Sequence, residues 1–144
     1  MLIWFKITKL FEWGSWLWFV LDAIDEYLKG LLKQVLDSYV ILAELDDNTS
    51  DLEIIKKELS KIKGILQVIN AKLDNKKYQS DRLVSIYKLA TYYIETYDFT
   101  WEIETLSKVY YNDSSRLKNL RIIILNSLND KKLIEKFQTI LSEL

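Results

Sequence analysis

Three acidic side chains near the start of the chain have a spacing that could support chemistry. Asp25 and Glu26 follow Asp22 by three and four residues, so one face of a helix would carry all three carboxylates. Such a face could bind a hard cation or perform acid–base catalysis. The same spacing is typical of the polar stripe of an amphipathic helix, and we favour this simpler interpretation. We therefore predict no catalytic or metal site here.

The rest of the composition also argues against an enzyme. Histidine and cysteine are absent, which removes the commonest general base, the usual zinc ligands and the familiar catalytic triads. The acidic stretch 46–51 lacks the glycine and the terminal glutamate of a calcium loop. Gly14, Gly30 and Gly64 are too far apart to form a phosphate-binding loop. We expect no enzymatic activity, no cofactor, no metal ion and no small-molecule substrate.

A basic stretch between residues 108 and 132 is the candidate for nucleic-acid contact. It holds six basic residues against two acidic ones, beside Tyr110 and Tyr111, within a helix, turn and helix. The turn lacks the glycine common in helix-turn-helix motifs, and a basic helix face is most often simply solvated. Nucleic-acid contact is therefore an alternative hypothesis. It would use Lys108, Arg116, Lys118, Arg121, Lys131 and Lys132.

Residues 1–45 form an aromatic-rich segment with helical spacing. The longest uncharged run, residues 13–21, is far shorter than the roughly 20 residues that span a membrane. The aromatic face could lie at a membrane surface or pack against protein, and the mixture of acidic and basic residues in 1–30 favours protein. This membrane or partner face consists of Trp4, Phe5, Phe11, Trp13, Trp16, Trp18 and Phe19.

The next segment, residues 51–75, has the most regular pattern of the chain. Leucine and isoleucine alternate at spacings of three and four, which is the a/d pattern of a coiled coil and favours tetramers in parallel assemblies. The pattern lasts only about three heptads, and Ile54, Ile65 and Val68 add apolar surface beside it, so we favour an ordinary bundle helix over an intermolecular coiled coil. The packing seam is Leu52, Ile55, Leu59, Ile62, Leu66, Ile69 and Leu73.

Residues 78–144 are rich in tyrosine and predict several shorter helices. The expected ranges are 81–97, 101–111, 114–128 and 130–144, separated by polar residues. Ser50 and Thr100 are the expected N-cap residues of the helices that follow them. A helix with apolar residues on one face can dock on a bundle.

These patterns together predict an all-α fold. We expect a bundle of five or six helices, with a long amphipathic N-terminal helix and a heptad-patterned second helix. The three segments, 1–45, 51–75 and 78–144, should form one folding unit, because 144 residues is the size of a single domain.

The expected function is a non-enzymatic, self-associating helical scaffold or adaptor. Its partner would be a second copy or another helical protein, in the cytoplasm, with contact to a membrane surface as a competing interpretation. The alternatives are a small nucleic-acid-binding subunit of a ribonucleoprotein or regulatory complex, and a membrane-active toxin or its inhibitor. The near-neutral net charge of −1 favours a protein partner over a polyanion.

Overall fold

The computed structural model describes residues 26–74 and 80–143, and these residues form helices and short connections without a strand. The prediction of an all-helical bundle is confirmed. The aromatic face, Asp22 and Asp25 lie outside the described residues, whereas Glu26 is described and exposed. The elements are α1 (26–43), α2 (Asp51–Leu73), α3 (Asp81–Thr96), α4 (Thr100–Lys108), α5 (Ser114–Asn129), a 3₁₀ turn (Asp130–Lys132) and α6 (Leu133–Glu143).

The leucine–isoleucine seam of α2 is buried within the chain itself. Six of its seven residues are buried and Leu73 is half-buried. Outside the seam, Ile65 is buried too, whereas Ile54 and Val68 are exposed. Because α2 lies against α3 along its length and against α4 near its start, the seam packs on helices of the same chain. An intermolecular coiled coil along this seam would require the bundle to open.

One hydrophobic core joins the six helices of the described residues. Fully buried side chains include Leu32 of α1, Ile62 of α2, Ile86 of α3, Ile124 of α5 and Phe137 of α6. Burial of each such side chain contributes about 1.5–3 kcal/mol relative to exposure, so the core is the main source of stability. The shorter helices have little intrinsic stability of their own and depend on this packing.

The starts of α2 and α4 differ from the sequence prediction. Ser50 has helical backbone angles and its hydroxyl caps nothing; instead, the Asp51 carboxylate accepts a hydrogen bond from the Asn48 amide at 3.1 Å. Thr100 is already the first residue of α4, and the Asp98 carboxylate accepts from its amide at 3.0 Å and its hydroxyl at 2.7 Å. Asp98 thus satisfies the first free N–H group of α4, whereas Asp51 binds the loop before α2; in both places a carboxylate is the acceptor, because it is stronger than a hydroxyl.

The predicted ends of two C-terminal helices are also wrong. The range 101–111 was too long, because α4 stops at Lys108 and the chain turns, with the Asp113 amide donating to the Tyr110 carbonyl at 3.0 Å. The range 130–144 includes a kink: Lys131 and Lys132 have φ of 55° and 57°, which are left-handed angles that lysine rarely adopts. The last regular helix therefore begins after this kink.

No helix within residues 26–74 and 80–143 combines the length and the apolar character needed to cross a membrane.

Candidate functional site

A groove between the first half of α2 and the short helix α4 is the candidate site. It encloses about 370 Å³, a volume within the usual range of ligand pockets. We call it the α2–α4 groove. Its apolar lining residues are Leu52, Leu59, Tyr93, Tyr97, Phe99 and Ile103, and its polar ones are Glu53, Lys56, Ser60, Lys63, Asp98, Thr100, Glu104, Ser107 and Lys108.

The position of α4 creates the groove. Leu106 is buried and anchors α4 to the core, and Ile103 is half-buried on the side of α4 that faces the groove. The connection from α3 contributes Tyr97 and Phe99, whose rings stack with centroids 6.1 Å apart and an angle of 11° between their planes. Because α3 ends at Thr96 and α4 starts at Thr100, the short connection holds both rings at the groove.

The charged residues of the groove balance one another. The lining holds three lysines and three acidic residues: Lys56, Lys63 and Lys108, and Glu53, Asp98 and Glu104. Hydrogen bonds from Thr100 lower the pKa of Asp98, and the positive charge of Lys63 lowers it further. Asp98 is therefore ionised at neutral pH, which is unsuitable for a general acid.

The two tyrosines of the groove are held in their neutral form. The pKa of Tyr97 is raised mainly by its hydrogen bond to the Asp130 carboxylate, and burial raises the pKa of Tyr93. Neutral phenol rings suit an apolar contact surface. The groove therefore has the chemistry of a binding surface, with an apolar lining and charges of both signs.

Arg121, one of the predicted nucleic-acid contacts, makes several contacts within the chain. Its Nε and its terminal nitrogen lie 2.6 and 3.0 Å from the two carboxylate oxygens of Asp47, and the side chains are only 12% and 18% exposed. The same guanidinium donates to the carbonyls of Leu42 and Ala43 at 3.4 and 3.2 Å, at the end of α1. This ion pair raises the pKa of Arg121 and lowers that of Asp47. We call this arrangement the α1–α5 clasp, and it occupies the Arg121 guanidinium within the chain.

The other basic residues do not form one surface. Arg116 pairs with Asp113 at 3.2 Å and lies 3.7 Å from the Tyr110 ring centroid, near the start of α5. Lys131 and Lys132 follow the other end of α5. Because α5 has 16 residues, its two ends are about 24 Å apart. The remaining two basic residues also lie on different surfaces. Lys108 lines the α2–α4 groove, and Lys118 is exposed on α5.

A cluster of tyrosines around Asp130 was not predicted from the sequence. Tyr92 and Tyr97 donate hydrogen bonds to one carboxylate oxygen of Asp130 at 2.7 and 2.5 Å. The other oxygen accepts from the Lys131 amide at 2.9 Å. These bonds lower the pKa of Asp130 and raise those of both phenols. The cluster ties the end of α3 to the turn between α5 and α6, and the only sequence signal was the number of tyrosines.

Three buried polar atoms lack hydrogen-bond partners within the described part of the chain. One is a carboxylate oxygen of Glu102 in α4, a half-buried residue. The other two are the Ser38 hydroxyl in α1 and one carboxylate oxygen of Glu58 in α2, and these residues are 0% and 4% exposed. A buried carboxylate oxygen without a partner costs about 1–3 kcal/mol or more. Glu58 is thus a destabilising feature of an otherwise apolar helix face.

The described ranges contain no group of acidic side chains arranged to hold a metal ion. Among known proteins, no family model matches the chain, and neither do any curated protein or solved structure.

Proposed function

We propose that the chain is a non-enzymatic, self-associating helical adaptor, and that the α2–α4 groove is its contact surface. The groove itself is the main support, because it presents apolar side chains surrounded by charged ones. This is the arrangement of protein interfaces, where a hydrophobic centre is enclosed by a polar rim. An amphipathic helix is the ligand that such a groove fits best, since its apolar side chains enter while its polar face stays in water.

The burial of the α2 seam supports the groove as the contact surface. Residues such as Ile62 and Leu66 are already fully covered by the same chain, so they offer no surface to a partner. The groove is open to solvent. Trp101 of α4 is 72% exposed close by in sequence, and exposed tryptophans are common anchors in interfaces.

The mass of the full chain in solution tests this proposal. We expect an oligomer at micromolar concentration by light scattering, and we expect Ser107→Trp or Ser60→Trp to dissociate it by filling the groove. Both serines line the groove and are exposed, so the new ring can enter the groove without displacing a buried serine from the core. Serine and tryptophan have similar helix propensities, so the helices should persist. Ser115→Trp is the matched control, since Ser115 is exposed on α5 and does not line the groove.

A chain that is monomeric throughout this concentration range would contradict self-association. An oligomer that both groove variants leave intact would show that another surface forms the contact. Circular dichroism and thermal unfolding of each variant would check that the fold is retained.

The structure lends less support to nucleic-acid binding. Arg121 is held in the α1–α5 clasp and Arg116 is paired with Asp113, which leaves no continuous row of free positive charges on α5. A cytoplasmic location and a membrane-surface contact are parts of the adaptor hypothesis that cell fractionation and liposome flotation would test.

A further inference from the structure

We propose that the aromatic N-terminal segment, residues 1–25, of a second copy of the chain occupies the α2–α4 groove. This inference rests on the proposed adaptor function and names the partner of its groove. It assigns a ligand to the groove and a role to four of the five tryptophans. In a symmetric dimer, each copy would give its segment to the other and receive one in return.

The groove suits aromatic side chains. Its volume of about 370 Å³ accommodates an indole ring together with a neighbouring apolar side chain. The lining includes the stacked rings of Tyr97 and Phe99, and an incoming tryptophan could contact them edge-to-face. Residues 1–25 supply such rings at helical spacing, with Trp13 and Trp16 three residues apart.

The charge of the segment also matches. Residues 1–25 carry Lys6 and Lys9 against Glu12, Asp22 and Asp25, so the segment has a net charge of −1. The groove has three basic and three acidic lining residues, so it attracts neither a strongly acidic nor a strongly basic ligand. A nearly neutral, aromatic helix is the complementary partner.

The start of α1 points to a second copy as the source. The Tyr27 ring lies 6.0 Å from Lys72 Nζ, so the described part of α1 begins beside the C-terminal end of α2. The groove lies at the other end of α2, around Lys56. For an ideal helix, Lys72 is about 24 Å from Lys56 along the axis and about 160° around it. A segment of the same chain would have to travel along α2 and around it, whereas a second copy can present its segment directly.

The expected contact area is sufficient for a dimer. Two docked aromatic side chains would bury roughly 300–500 Å² of each segment. Two segments and the two groove surfaces that they cover would together reach the roughly 1,600 Å² of a standard stable interface.

Photocrosslinking of the full chain would identify the occupant of the groove. The natural chain has no cysteine, so Ser107→Cys provides a single attachment point for a benzophenone in the groove. After irradiation, we expect a covalent pair of 17.2 kDa chains, with the crosslink mapped by mass spectrometry to residues 1–25 of the second chain. Ser115→Cys with the same label is the control and should give little of this product.

Substitutions in the segment provide a second measurement. When labelled chains are mixed with an excess of unlabelled chains, we expect the labelled groove to crosslink to residues 1–25 of unlabelled wild-type chains and far less to unlabelled chains that carry Trp13→Ser and Trp16→Ser. Loss of an aromatic anchor weakens association roughly tenfold or more. Equal crosslinking to the two kinds of unlabelled chain would overturn the inference.

The crosslinking outcomes separate this inference from the proposed function. A crosslink to residues 1–25 of the same chain would overturn the assignment to a second copy, and a crosslink to any other region would overturn the assignment to the segment. If either result came with an oligomer that Ser107→Trp dissociates, the adaptor function would stand with a different occupant. If Ser107→Trp had no effect on the mass, the groove function itself would fail.

Discussion

Replacing Arg121 by methionine should destabilise the bundle more than the loss of a typical surface charge does. Methionine keeps much of the apolar stem but removes the hydrogen bonds to Asp47 and to the carbonyls of Leu42 and Ala43. The last turn of α1 loses a cation that neutralises its free carbonyl groups. The Asp47 carboxylate and the Leu42 carbonyl are then left partly buried without a donor, whereas the exposed Ala43 carbonyl can bind water.

The size of the effect follows from the exposure of the ion pair. Surface ion pairs contribute about 0–1 kcal/mol, whereas breaking a fully buried pair costs about 3–5 kcal/mol. The clasp lies between these limits, with side chains 12% and 18% exposed, and it has two short carboxylate contacts. We therefore expect a loss of about 2 kcal/mol. With a urea m-value of about 1–3 kcal/mol/M, the unfolding midpoint should fall by about 1 M.

Arg116→Met is the matched control for this experiment. Arg116 lies on the same helix and also pairs with an aspartate, but its side chain is 54% exposed and that of Asp113 is 40% exposed. Its loss, including the contact with the Tyr110 ring, should cost no more than about 1 kcal/mol. Urea unfolding followed by circular dichroism would compare the two variants, and equal midpoints would refute the argument from burial. Arg121→Lys should lose part of the 2 kcal/mol, because lysine cannot form the bidentate contact.

Four further predictions concern stability and use the same unfolding assay. The pKa of Asp47 is lower in the folded protein than in the unfolded chain, so the Asp47–Arg121 ion pair stabilises the fold fully above the unfolded pKa of about 3.9. This stabilisation is lost as the pH falls through the lower, folded pKa. Asp47→Asn should therefore reduce the loss of stability in acid. Lys131→Gly should stabilise by about 1 kcal/mol because φ there is 55°, whereas Lys136→Gly within α6 should destabilise by a similar amount. Gly64→Ala should stabilise α2 by about 1 kcal/mol, since a Cβ there meets nothing within 4 Å. Glu58→Met should stabilise by about 1–3 kcal/mol, as it removes the unpartnered buried oxygen; a loss of stability would show that the carboxylate has a partner.

The sequence predicted those features of the fold that depend on local periodicity. The spacing of Leu52 to Leu73 predicted both the existence of α2 and the side of it that is buried, because a helix repeats every 3.6 residues. The polar break at residues 46–50 and the turn around Asp113 were equally visible. The N-cap residues of α2 and α4 were not visible, and the predictions of Ser50 and Thr100 were wrong. Several adjacent polar residues compete for the same N–H groups, and only the backbone geometry decides between them.

The candidate site depends on long-range contacts that periodicity does not encode. The α2–α4 groove exists because Leu106 anchors α4 beside a helix that ends 27 residues before α4 begins. The tyrosine cluster joins residues 38 and 33 positions apart, and the clasp joins residues 74 positions apart. In the sequence alone, Arg121 resembles any other basic residue of α5, because its pairing with Asp47 depends on the fold.

The clasp also has a consequence for the order in which the chain folds. Helices α2 and α3 are neighbours in sequence and lie side by side, so their contacts can form early at a small cost in loop-closure entropy. The Asp47–Arg121 contact closes a loop of 74 residues and can form only after α5 has docked on α1. Its loss should therefore leave the refolding rate nearly unchanged and appear almost entirely as faster unfolding. The clasp therefore slows unfolding and lengthens the lifetime of the folded bundle.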